Sequence, residues 1–125
     1  MNMKKNFLVA GVLLALAACA SLDKPRDYIV FFQTDQADLT PEANQVIADV
    51  AKQTHDLSPS KVVVSGRADG STAHDATLAD QRAQMVMKAL SDKGVPAAKI
   101  SKLADAPPAD RTGVAAHQVV ITLLP

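Results

Sequence analysis

Between residues 62 and 82 the pattern of apolar residues changes from that of a strand to that of a helix. Val62–Gly66 begins with three consecutive valines, and such a β-branched run favours a buried strand. The helix pattern starts at Thr77, which with Asp80 has the spacing of a capping box. Asp69 lies in the loop between them, at the strand end where ligands bind in open α/β layouts. The segment therefore predicts a strand, a loop that carries an acid, and a helix.

One arginine, Arg82, falls on the apolar side of this helix. At about 100° per residue it lies within the stripe formed by Leu78, Met85, Val86, Ala89 and Leu90. A guanidinium on the core side needs a partner, because burying an unpaired charge is costly. Two interpretations follow from the spacing. Arg82 is structural, paired with Asp69 or extended to solvent, or Arg82 and Asp69 face one small ligand site.

The composition indicates a single domain that does not bind nucleic acid. The chain has 125 residues, and its 13 Lys and Arg residues balance 13 Asp and Glu residues. Binding of nucleic acid requires a basic face, which this balance does not indicate. An aromatic content of 3% without Trp also argues against a platform for stacking bases.

The first 18 residues have the pattern of a signal peptide. Lys4 and Lys5 precede Phe7–Ala18, an apolar run shorter than the about 20 residues that span a bilayer. Leu-Ala-Ala then leads to Cys19, and this stretch resembles the lipobox of bacterial lipoproteins. The resemblance implies cleavage before Cys19 and its lipidation, which anchors the chain in a lipid bilayer, and Ala20 after it implies the outer membrane. An ordinary signal peptide with a chance cysteine is the alternative.

The remaining pattern divides the chain into a tether and one folded domain. Residues 1–18 are the signal, 19–27 a lipidated tether, and 28–125 the domain. Tyr28–Phe32 is apolar on both faces, which predicts a central strand. Thr40 has the position of a helix cap with Pro41 at the first helical residue, and this helix is expected to reach about Thr54.

The second half of the domain completes an α+β pattern. Gly94 is expected to end the second helix in a left-handed conformation, and one helical turn follows within Pro96–Ile100. Ser101–Ala104 and Val119–Leu123 are the last strand candidates. The predicted fold is a β-α-β-α-β(-β) mixed sheet with two helices packed on one face, in which the first two strands run parallel.

The sequence contains no pattern that favours catalysis. His55, His74 and His117 lack the spacing of a metal site, and no Gly-x-Ser-x-Gly elbow or phosphate-binding glycine loop is present. We therefore expect a protein that is not an enzyme and that needs no cofactor.

Four stretches of sequence occur in the order typical of a known family. They are Phe32–Glu42 with Gln-Thr-Asp and Leu-Thr-Pro-Glu, Val62–Asp69 with Val-Val-Val-Ser-Gly-x-x-Asp, Leu78–Val86 with Leu-x-x-x-Arg-Ala-x-x-Val, and Leu90–Ile100 with Leu-x-x-Lys-Gly-Val-Pro. Together they resemble the OmpA-like peptidoglycan-associating domain, and with the Cys19 motif they resemble its Pal-like lipoprotein members. The resemblance covers about residues 28–123 and implies an OmpA-C-like fold.

The resemblance also implies a ligand, the diaminopimelate of the peptidoglycan stem peptide. Asp69 matches the family's site aspartate and Arg82 its site arginine. Asp35 in the first stretch and Asp75 between the second and third complete the implied site. A carboxylate at Asp69 can accept from the ammonium of diaminopimelate. A guanidinium at Arg82 can hold its carboxylate by two parallel hydrogen bonds.

Several positions depart from the family's pattern. Arg67 replaces the usual His or Tyr, Asp75 replaces a typical Asn, and Ala116–Gln118 replaces an Asn-Arg-Arg run before the last strand. These departures support a second hypothesis, in which an OmpA-like lipoprotein has given up wall binding. It would then act as a structural adaptor with protein partners in an envelope or secretion complex.

Overall fold

Two helices pack on one face of a four-stranded sheet, as predicted. The computed structural model describes residues 21–67, 73–103 and 117–125. The elements in chain order are β1 (Arg26–Phe31), α1 (Pro41–Leu57), β2 (Lys61–Gly66), α2 (Ala73–Asp92), a single 3₁₀ turn (Ala97–Lys99), β3 (Ile100–Lys102) and β4 (Gln118–Leu124). This is an α+β fold with the predicted order of helices and strands.

The sheet is mixed, with the strand order β1-β4-β2-β3. Strand β4 is antiparallel to both β1 and β2, so these two run parallel to each other with β4 between them. Strand β3 pairs in parallel with β2 at the other edge. The parallel direction of the first two strands is therefore confirmed, although they are not neighbours.

Strand β1 lies at an edge of the sheet, so the prediction of a central strand is wrong. Val30 is fully buried, whereas Ile29 is 44% and Phe31 50% exposed. Only the Val30 side packs against the helices, because helices cover one face of this sheet. The apolar residues on the other side of β1 had suggested burial on both faces.

The first strand begins earlier than predicted. Strand β1 starts at Arg26, and Leu22 is buried with the core residues. Part of the segment predicted as a tether, residues 19–27, therefore belongs to the folded domain, because Leu22 packs in the core and β1 starts at Arg26.

Helix α1 begins as predicted and ends later. The Thr40 side-chain oxygen accepts a 3.1 Å hydrogen bond from the Ala43 N–H, and Pro41 is the first helical residue. The helix ends at Leu57, three residues beyond the prediction. Ser58 follows with a φ of 48° and donates its N–H to the Thr54 carbonyl oxygen.

Helix α2 begins at Ala73, so the predicted capping box at Thr77 is wrong. Residues 73–76 contain no helix breaker, and Asp75 in the first turn is favoured by the positive end of the helix dipole. At the other end, Gly94 has a φ of 98°, which confirms the predicted left-handed residue. The short strand after it is Ile100–Lys102 rather than Ser101–Ala104.

The core lies between the helices and the sheet. Alternate residues of β2 and β4 and the inner faces of α1 and α2 are fully buried there, and they include Val62, Val64, Val119, Ile121, Leu123, Ile47, Val50, Val86 and Leu90. Among the described residues, no helix is long and apolar enough to cross a membrane. Cys19, Asp69 and the loop predicted over Asp105–Gly113 lie outside the described residues.

Candidate functional site

Arg82 is buried on the inner side of α2, where its spacing placed it. Arg82 is only 2% exposed, so the interpretation that its side chain extends to solvent is wrong. Its Nε donates a 2.7 Å hydrogen bond to the Gln36 carbonyl oxygen, and its Nη2 donates a 2.9 Å bond to the Gln33 carbonyl oxygen. The Gln36 N–H itself donates to the Gln33 carbonyl oxygen at 3.2 Å. Arg82 therefore clamps the turn between β1 and α1 onto α2.

An aromatic ring completes the surroundings of this guanidinium. The Cζ atom of Arg82 lies 5.4 Å from the centroid of the buried Phe32 ring. A cation over an aromatic face at this distance is attracted by the ring, and the attraction is stronger where water is excluded. Phe32 directly follows β1, so the same strand end supplies both the ring and the turn that Arg82 holds.

Two carboxylates act on Arg82 from different elements. Burial lowers the pKa of Arg82 from its ordinary value, and the negative charges of Asp35 and Asp75 oppose that shift. Arginine nevertheless stays protonated, because its pKa in proteins is far above neutral pH. Arg82, Asp35 and Asp75, three of the four residues predicted for peptidoglycan binding, therefore interact electrostatically. The fourth, Asp69, lies outside the described residues.

Asp35 occupies an unusual backbone position in the clamped turn. Its φ is 58°, a left-handed conformation that Asp and Asn tolerate better than most residues. Its side chain is exposed, and Oδ1 lies 4.0 Å from Nε2 of His74 at the start of α2. Asp75, one residue further along α2, is half-buried. The turn and the first turn of α2 therefore present charged groups to the same region.

A close contact between β2 and α2 sets the position of Arg82. A Cβ added to Gly66 would lie 2.9 Å from the Ala79 carbonyl carbon and closer still to its oxygen. Only glycine allows the helix backbone to come this near to the end of β2. Arg82 follows Ala79 by three residues, about one helical turn, so this approach carries its guanidinium to the turn between β1 and α1.

The arrangement is suited to binding of a charged group. A guanidinium carries five N–H donors in a planar fork, a geometry that suits a carboxylate. Sequence reasoning missed both of these carbonyl oxygens, because every residue has one and no side-chain signal marks it. Within the described ranges, no group of three or more His, Cys, Asp or Glu residues is arranged to hold a metal ion.

The chain belongs to the OmpA family, whose model matches residues 31–119. An outer membrane protein of Gluconacetobacter diazotrophicus is 34% identical over 83 residues, which are 60% of this chain and 22% of that protein. Outer membrane protein A of Shimwellia blattae is 40% identical over 76 residues, which are 58% of this chain and 32% of that protein. The match thus spans a third or less of the length of these relatives.

Solved structures share the fold at low sequence identity. The OmpA-like domain of FopA1 from Francisella tularensis has a TM-score of 0.65 at 20% identity, over 79% of this chain and 71% of that chain. The peptidoglycan-associated lipoprotein of Burkholderia pseudomallei has a TM-score of 0.61 at 19% identity, over 76% and 87%. The cell wall anchor of the T6SS from Pseudomonas aeruginosa has a TM-score of 0.61 at 20% identity, over 89% and 90%.

Proposed function

We propose that this chain is an outer-membrane lipoprotein whose domain binds peptidoglycan non-covalently through the diaminopimelate of the stem peptide. The buried cation of Arg82, held beside the charged groups of Asp35 and Asp75, carries this proposal. Family membership supports it, as do neighbours described as a peptidoglycan-associated lipoprotein and as a cell wall anchor.

The chemistry of the ligand matches the charges of the site. Diaminopimelate ends in a carbon that carries both an ammonium and a carboxylate. The guanidinium of Arg82 is suited to the carboxylate, and Asp69 is suited to the ammonium. Because the Gln33 and Gln36 carbonyls fix Arg82 before a ligand arrives, binding costs little side-chain entropy at this residue.

The membrane anchor in this proposal is a lipidated Cys19. Each buried lipid methylene contributes about 0.8 kcal/mol, and more than one acyl chain makes the attachment durable. Cys19→Ser is expected to move the protein from the membrane fraction to the aqueous fraction. Mass spectrometry of the protein without this substitution is expected to show acyl groups on Cys19. An unacylated Cys19 would leave the ordinary signal peptide as the explanation of the N-terminus.

Co-sedimentation with purified sacculi tests the wall-binding part. The full chain is expected to pellet with sacculi, and free diaminopimelate is expected to compete. Asp69→Ala and Arg82→Lys are expected to reduce pelleting, whereas Asp49→Ala, on the exposed side of α1, is expected to leave it unchanged. Circular dichroism shows whether each variant is folded. Unchanged pelleting of both folded site variants would remove the assigned site.

The charge of Asp75 favours the adaptor as a second candidate function. A carboxylate that already acts on Arg82 competes with a ligand carboxylate for the same guanidinium. In the adaptor hypothesis, the natural chain does not pellet with sacculi and works with protein partners in an envelope or secretion complex. Asp75→Asn distinguishes the wall-binding function from the adaptor function. If the natural chain does not pellet and the variant does, the site has lost its original ligand.

A further inference from the structure

The sheet face that points away from the helices carries polar side chains at the end of β2. Gly66 faces α2, since a Cβ there would meet the Ala79 carbonyl. Successive side chains of a strand alternate between faces, so Ser65 and Arg67 point to the opposite face. Ser65 is 5% exposed and Arg67 is half-buried.

Strand pairing extends this group across the sheet. The Arg67 N–H donates a 3.0 Å hydrogen bond to the Gln118 carbonyl oxygen, which continues the β2–β4 ladder by one residue. On the other side of β4, Phe31 pairs with Gln118. Arg67, Gln118 and Phe31 therefore form one row across three strands. The next row on the same face consists of Ser65, Val120 and Ile29.

Two polar atoms in these rows are buried without a hydrogen-bond partner among the residues that the structure describes. They are Oγ of Ser65 and Nε of Arg67. Most buried polar atoms in native proteins have a partner, and an exception requires an explanation, of which a bound molecule or ion is one. The two residues are two positions apart on one strand face, about 7 Å, which is a distance that one small ligand spans.

We propose that Ser65, Arg67 and Gln118 bind a carboxylate that carries an apolar group. The Ser65 hydroxyl, the Arg67 guanidinium and the buried Gln118 amide supply donors to its oxygens. The charge of Arg67 matches a monoanion, whereas a phosphate dianion would keep one charge uncompensated. Phe31, which is exposed and next to Gln118, offers an apolar surface to the rest of the ligand.

Entry of a ligand into this site requires side chains to move. Oγ of Ser65 and Nε of Arg67 both have almost no accessible surface, so a ligand reaches them only after such a movement. Arg67 is half-buried rather than sealed, and its long side chain has several rotamers. Binding is therefore accompanied by a change in the environment of the Arg67 Nε–H group, which nuclear magnetic resonance detects directly.

Titration of the ¹⁵N-labelled full chain tests the site. N-acetyl-alanine represents a peptide carboxyl terminus and butyrate a free acid, and N-acetyl-alaninamide and inorganic phosphate serve as comparison ligands. We expect a saturable shift of the Arg67 Nε–H resonance with the two carboxylates and not with the amide. The carboxylate that binds more tightly identifies the source. Backbone amide resonances report binding in the variants. Arg67→Gln is expected to weaken binding about tenfold or more, since it removes a charge-assisted hydrogen bond.

Further variants separate recognition from general effects. Ser65→Ala is expected to weaken binding several-fold, and Arg26→Gln, at the exposed far end of β1, is expected to leave it unchanged. An amide that binds as well as the acid would overturn the proposal, because the charge would not be recognised. Absence of any saturable shift in the natural chain would also overturn it, and would mean that the buried atoms hold only an enclosed water.

Discussion

The Nε atom of Arg82 lies 2.7 Å from the carbonyl oxygen of Gln36, and this bond ties helix α2 to the turn that precedes α1. The residue proposed to hold a ligand is therefore also part of the structure. Loss of wall binding in an Arg82 variant has two physical explanations, and only a measurement of stability beside the binding measurement distinguishes them.

Replacing Arg82 with alanine is expected to lower the free energy of unfolding by about 3 kcal/mol. The change leaves the Gln33 and Gln36 carbonyl oxygens without their donors and opens space beside Phe32. Urea denaturation measures the effect. Arg26→Ala, at an exposed position, is the control and should change stability by about 0.5 kcal/mol or less. Equal denaturation midpoints for the two variants would contradict the clamp.

Replacing Gly66 with alanine is expected to cost about 2 kcal/mol, because the added methyl group overlaps the backbone of Ala79 and pushes α2 away from β2. Thermal denaturation checks this. Gly94 is also required to be glycine, but for a different reason. A Cβ there would meet nothing within 4 Å, whereas its φ of 98° strains other residues.

The two glycines can be separated with asparagine. Asparagine tolerates a left-handed backbone, so Gly94→Asn should lose less stability than Gly94→Ala. At Gly66, the asparagine variant should lose more stability than the alanine variant, because its side chain is larger. A smaller loss of stability for Gly66→Asn than for Gly66→Ala would contradict the steric explanation.

Replacing Thr40 with alanine is expected to destabilise the domain by about 1 kcal/mol. The change removes the side-chain oxygen that accepts from the Ala43 N–H at the start of α1. Thr40→Ser keeps that oxygen and is expected to stay within a few tenths of a kcal/mol of the natural chain. Guanidinium denaturation of the three proteins measures both effects, and equal losses for alanine and serine would exclude the cap as the cause.

Asp56 is expected to give helix α1 a small dependence on pH. Hydrogen bonds from Lys52 and His55 lower the pKa of Asp56 below its ordinary value of 3.8, and Asp56 raises the pKa of Lys52. A carboxyl whose pKa is depressed on folding stabilises the fold above its unfolded pKa, and this contribution is lost as the pH falls through the folded pKa. The effect is expected to shrink in high salt, because both groups are exposed.

The pKa of Asp56 can be measured from its carboxyl carbon resonance as a function of pH. Lys52→Gln is expected to raise it towards 3.8, because the largest cause of the depression is removed. Lys88→Gln, which breaks the similar pair with Asp92 on α2, is the control and should leave the pKa of Asp56 unchanged. A rise in both variants would indicate a general field rather than the pair.

The helical period of the sequence placed Arg82 correctly on the core side of α2, but it did not predict what Arg82 binds. Its position among Leu78, Val86 and Leu90 needs only local geometry. Its hydrogen-bond acceptors belong to a turn more than 40 residues away in the chain. Backbone carbonyls carry no residue identity, so no side-chain pattern could indicate them.

The sequence also did not predict which strands are neighbours in the sheet. The residues of β1 have a strand composition, which local propensity detects. The position of β4 between β1 and β2 depends instead on pairing over long sequence separations. Tyr28–Phe32 was therefore correctly predicted to be a strand but was placed wrongly in the sheet.

The central position of β4 makes completion of the sheet depend on the last of the described strands. Of the described elements β4 leaves the ribosome last, and until then β1 has no strand beside it in this sheet. Contacts of such high contact order form slowly, since the intervening chain must first be closed into a loop. The sheet is therefore completed only when residues 118–124 insert between β1 and β2.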